Sequence, residues 1–128
     1  MKLLSLIASL YVLALPQRCQ HQKPAAGNCL KGRLEIKGIC SNYTIKVVSG
    51  NLDTSLLEKT WRDPQTGKTY SDVFGLGSRC SFPDSLKEGD EFYFKIDSSY
   101  LQHCMVCMAY YPTPGKHVNI KVLPGPCP

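Results

Sequence analysis

Seven cysteines, Cys19, Cys29, Cys40, Cys80, Cys104, Cys107 and Cys127, punctuate a chain of 128 residues, and nothing else in it limits the fold so strongly. What they become depends on the compartment. Met1 and Lys2 precede an apolar run, Leu3 to Leu15, which is followed at once by Pro16, Gln17 and Arg18. That run is shorter than the roughly 20 apolar residues a membrane helix needs, and it has the charged start and apolar middle of a secretory leader. A cut after Ala14, with Val12 three positions from the bond, assigns 1–14 to the leader and 15–128 to the mature chain; later trimming carries the boundary as far as Arg18. With no second membrane-length stretch in the sequence, the protein is expected to be secreted, extracellular and without a membrane span. Exported thiols oxidise, and one small domain with a modest core gains about 2–4 kcal/mol from each crosslink. A disulfide framework over 15–128 is therefore expected. Seven is an odd number, which permits a disulfide-linked dimer through the cysteine left over.

Charge argues against one class of partner. Fifteen Lys and Arg stand against ten Asp and Glu, a formal +5 that falls to +4 when Lys2 leaves with the leader, and both signs are scattered without a basic block. Nucleic acid is not expected. Asn42-Tyr43-Thr44 is an N-glycosylation acceptor, and a used site in an exported glycoprotein belongs at the surface.

The hydrophobic pattern is that of short strands. Leu34 and Ile36 alternate with charged neighbours over 33–39, and Tyr43, Ile45 and Val47 share one face of 43–49, as half-buried strands require. The stretch LDTSLLEK is compatible with a helical turn capped by Asp53 or Ser55, with Ser55 and Glu58 at capping-box spacing; eight residues without packing support make a marginal helix, and the sequence leaves it open. DPQTG turns the chain between Trp61 and a run ending at Phe74, and LKEGD leads into EFYFKID, where Phe92, Phe94 and Ile96 alternate with polar residues. CMVCMAYY, 104–111, is apolar on both faces and predicts a central strand with Met105 and Met108 as core filler. HVNIKVL follows PTPG. Five or six short strands favour a small barrel or sandwich.

No catalytic constellation emerges. His21, His103 and His117 have no Ser or Asp arranged around them as a hydrolase triad needs. Cys104-Met105-Val106-Cys107 has redox or zinc spacing, but there is no helix start to stabilise a thiolate and no second ligand pair for zinc. Two half-cystines bridged elsewhere account for it. The acidic residues form no pair that periodicity would bring together. The chain is therefore expected to be neither an enzyme nor the holder of a cofactor or intrinsic metal.

The order of the cysteines and strands carries a resemblance. Cys19-Gln-His-Gln-Lys-Pro leads to Cys29 and GRLEIKG, and then comes YTIKVVSG. A central Cys80 precedes Leu86, Gly89 and Phe92 to Phe94, CMAYYP runs from Cys107 to Pro112, and Cys127 comes last. In this arrangement the chain from Cys19 onward resembles the netrin-like module, and within it the N-terminal domain of the tissue inhibitors of metalloproteinases. The resemblance implies a mainly β, disulfide-stabilised, OB-like five-stranded barrel with its N-terminal segment pinned to one face. It implies Cys19–Cys107 and Cys29–Cys127 bridges, leaving Cys40 and Cys104 outside the pattern, one of which takes up Cys80.

Those inhibitors chelate the catalytic zinc of a protease through the amine and carbonyl of a mature N-terminal cysteine, which a bridge must hold rigidly. The family begins Cys-x-Cys, and this chain does not. If Cys19 is the family's second cysteine, Gln17 stands at the first; if Cys19 is the first, His21 stands at the second and the cut falls after Arg18. Only the latter keeps the zinc-binding wedge, with Cys19 chelating, Gln20 and His21 entering the cleft, and Ser78, Arg79, Cys80 and Ser81 flanking it. The function expected first is thus a secreted inhibitor of a zinc metalloproteinase. The alternatives are a netrin-like binding module without the wedge, serving as a secreted ligand, matrix or toxin-like component, and a small lipid carrier.

Overall fold

The computed structural model of the protein describes residues 29–127. The proposed leader, together with Cys19, Gln20 and His21, lies outside the described residues. Strand β1 (Leu30–Lys37) buries Leu30, Gly32, Leu34 and Ile36 and turns Lys31, Arg33, Glu35 and Lys37 outward. That alternation is what a half-buried strand requires, and it starts three residues before the stretch the sequence predicts. β2 (Tyr43–Ser49) and β5 (Glu91–Ile96) fall where the alternation of apolar residues places them. β3 (Glu58–Arg62) and β4 (Thr69–Leu76) form the hairpin around DPQTG. Asp63 builds its turn by accepting hydrogen bonds from the Gln65 amide and the Thr66 hydroxyl, both at 2.9 Å, as Asx turns do. The open question over LDTSLLEK resolves into one 3₁₀ turn, Thr54–Leu56, after which β3 begins; the Asp53 carboxylate caps it by accepting from the Ser55 amide at 2.9 Å.

The last strand is in two pieces, β6 (His117–Val118) and β7 (Ile120–Val122), separated only by Asn119. The sheet runs β3-β4-β2-β1-β5-β7, and β6 pairs with β4 in parallel. Segment 117–122 therefore touches both ends of the path β4-β2-β1-β5 and makes a ring of five strand positions, interrupted at Asn119, with β3 attached outside it. The sheet is not closed, and the fold is mainly β, as the pattern of short strands indicates. Two residues allow the ring to come together at the break. Gly75 has no side chain where β6 approaches, and a Cβ there would lie 2.7 Å from the His117 ring. The Ser78 hydroxyl donates to the Ile120 carbonyl at 2.7 Å and accepts from the Ile120 amide at 2.8 Å, replacing ladder bonds.

The interior is filled by side chains. Leu34, Ile45, Phe74 and Phe94 are fully buried, and aromatic contacts run from Phe74 to Phe94 at 6.0 Å, on to Phe92 at 5.9 Å, and through Phe82 to Tyr43 at 5.4 and 5.5 Å. Burying each such side chain stabilises the fold by about 1.5–3 kcal/mol.

The structure overturns the sequence at one place above all. Residues 104–111 form no strand. The segment belongs to a long connection between β5 and β6, and every residue from Leu101 to Tyr110 is exposed except the half-buried Val106. Met105 and Met108 are 100% and 94% exposed, so neither fills the core.

Candidate functional site

Three disulfides hold the molecule at its periphery: Cys29–Cys127, Cys40–Cys107 and Cys80–Cys104. The first joins the entry of β1 to the end of the chain, as the resemblance implies. The second corrects it: Cys107 is bonded to Cys40, so a Cys19–Cys107 bridge is excluded. The third is one of the two partners left open for Cys80, which pairs with Cys104. All six described cysteines pair with one another, and none is left to anchor Cys19.

Both remaining bridges end in the exposed segment after β5, three residues apart, and staple it to two separate loops. Cys40 lies in the tight connection between β1 and β2, where Cys40 and Ser41 both adopt left-handed backbone (φ 56° and 57°). Such a conformation costs an ordinary residue about 1–2 kcal/mol, and it persists only where its surroundings enforce it. Here the Cys40–Cys107 bridge and Asn42 enforce it. The Asn42 amide nitrogen donates to the Ile39 carbonyl at 2.8 Å and to the Ala109 carbonyl at 3.0 Å, while its side-chain oxygen accepts from the Arg79 guanidinium at 3.1 Å. Tyr111 completes the seat: a Cβ on Gly38 would lie 2.9 Å from its ring, and its hydroxyl donates to the Asp63 carboxylate at 3.4 Å. Loss of hydration and the nearby Asp63 charge raise the Tyr111 phenol above its ordinary value.

Asn42 therefore does not sit where a glycan acceptor should. It is buried, with both amide hydrogens engaged, and its surface placement is corrected on that ground. Of the expected protease-binding edge, Ser78 is fully buried and occupied by Ile120, so it cannot flank a partner. Arg79 and Cys80 line an open cavity of about 270 Å³ with Cys40, Cys104, Met105 and Cys107. Ser81 is exposed beside them. Cys19, Gln20 and His21 lie outside the described residues. His103 and His117 are both exposed; His103 Nδ1 lies 3.0 Å from the Leu101 carbonyl, and His117 Nε2 lies 3.1 Å from the Thr113 hydroxyl. Among the described residues no group of three or more His, Cys, Asp or Glu is placed to hold a metal, and no helix is long and apolar enough to cross a membrane.

What sequence reasoning missed is the exposed segment itself. Composition offers only a faint cue: between Leu101 and Tyr110 Val106 is the one β-branched residue. No family model matches the chain, and neither a curated protein nor a solved structure does.

Proposed function

We propose that this chain is a secreted, non-catalytic recognition module of netrin-like character, in which disulfides hold a binding edge on a small barrel. The observation that carries this reading is the consumption of all six described cysteines in three internal pairs. Such a framework suits an oxidising compartment, and it leaves the N-terminal wedge of an inhibitor without its staple. An unstapled ligand loses affinity to the entropy of ordering it. For that reason the module without protease inhibition is better supported than the zinc-chelating inhibitor. The inhibitor reading retains two supports, the Cys29–Cys127 bridge and the presence of Arg79 and Cys80 on the lining of one open cavity.

The test is to express the full chain in a secretory host, determine the mature N-terminus by mass spectrometry, and titrate the product against a matrix metalloproteinase. The expected result is export without inhibition at micromolar concentration. Inhibition that disappears when one Ala is added before an N-terminal Cys19 would establish the chelating form instead.

A further inference from the structure

We infer that the stapled segment Leu101–Tyr110 is the recognition surface of this module and that it seats in an uncharged apolar cleft of another extracellular protein. The inference rests on the recognition-module reading above and adds where the partner binds and what its surface is made of. Leu101, Met105, Met108 and Tyr110 are 80%, 100%, 94% and 79% exposed, four large apolar side chains within ten residues, and a surface of which such side chains form a patch is usually a contact. Ile39, 58% exposed, joins them, because the Asn42 amide holds the Ile39 and Ala109 carbonyls together and Cys40 is bonded to Cys107.

Charge selects the occupant. From Ser98 to Gly115 the chain carries no Asp, Glu, Lys or Arg, although charged residues make up 20% of the whole. Two charged side chains of opposite sign, Arg79 and the exposed Asp84, line the cavity beside Met105 and Val106, and Arg79 is engaged by Asn42. A segment that docks on anionic lipid needs a basic collar and favours Trp at the interface; this one has neither, and the only Trp, Trp61, lies on the β3–β4 hairpin. Charge depletion with Tyr and Met at the centre is instead the composition of a protein–protein interface core. The two bridges and the Asn42 bonds order the segment in advance, which removes part of the entropy cost of binding. Met supplies side chains that adapt to the cleft they enter.

The experiment uses the exported full chain against a random peptide library displayed on phage. Enriched peptides are expected to be apolar and uncharged. Their binding should fall at least tenfold for Met105→Glu/Met108→Glu and stay within twofold for Lys59→Glu on β3. Mild peroxide treatment of the unmutated chain, which oxidises exposed methionines first, should reproduce the loss without a mutation that could disturb folding. An empty selection, charged consensus peptides, or equal binding by the double variant and the oxidised chain would overturn the inference. So would binding to phosphatidylcholine–phosphatidylserine vesicles, or a sedimenting dimer, that the double variant abolishes, since these would assign the surface to lipid or to a second copy. Failure of the underlying reading has a different signature: a chain retained in the cell with titratable thiols at positions 40, 80, 104 and 107.

Discussion

The sheet with its core and the segment that follows β5 are held by different physics. In the sheet, Leu34, Ile45, Phe74 and Phe94 are fully removed from water, and among the described residues the backbone pairs through six strand–strand ladders. The segment 101–110 has almost no buried surface and no ladder; two disulfides, Asn42 and Tyr111 hold it in place. Apolar burial makes a structure collapse, whereas crosslinks allow apolar side chains to remain outside it. A surface rich in Met and Tyr can be presented in this way only because something other than its own burial fixes it.

The largest effect should come from the core of the sheet. Phe94→Ala removes the ring at the centre of the aromatic chain and should cost about 3–5 kcal/mol, read as a loss of midpoint in urea with all amide protection falling together. The paired change Cys80→Ser/Cys104→Ser opens a loop with a sequence separation of 24 residues. The chain-entropy estimate for such a loop is about 3 kcal/mol, and the account adds a spatial expectation: hydrogen exchange should accelerate through 97–111 while β1, β2 and β5 stay protected relative to global unfolding. Equal acceleration in the sheet strands would break the distinction between the two regions. Asn42→Ala removes both carbonyl bonds and the acceptor for Arg79, a cost of about 1–3 kcal/mol, and should expose the peptide bonds near Ala109 to protease before any other site.

The smallest effect is a titration. With the Tyr111 phenol raised by lost hydration and by Asp63, the folded state favours the protonated form. Its contribution is complete below the ordinary tyrosine value of 10.0 and is lost as pH rises through and beyond it. Difference absorbance at 295 nm between the parent and Tyr111→Phe should therefore show one phenol ionising later than free tyrosine. A midpoint at or below the ordinary value would mean that Tyr111 is not seated on Gly38.

Period and composition made the strands legible. The alternation of Tyr43, Ile45 and Val47, and of Phe92, Phe94 and Ile96, reports a surface with one wet face, and those strands lie where it puts them. DPQTG was equally readable, because an Asp side chain that caps its own turn needs no tertiary partner. Segment 104–111 was not, since an apolar run looks the same whether the core or two disulfides receive it. Cys104 and Cys107 fit any of several connectivities until their distances to Cys80 and Cys40 are known. Ser78 resembled a surface residue because nothing in its neighbourhood shows that its hydroxyl meets Ile120, 42 positions away. Asn42 misled for a related reason: a glycan acceptor triplet and a buried carboxamide latch read identically in one dimension.

Peptide mapping of the non-reduced, exported protein tests the account most directly. It should recover Cys29 with Cys127, Cys40 with Cys107 and Cys80 with Cys104, and no peptide linking Cys19 to any of them. A Cys19–Cys107 species as the principal product would contradict it, freeing Cys40, unfastening the exposed segment and restoring the inhibitor's anchored wedge.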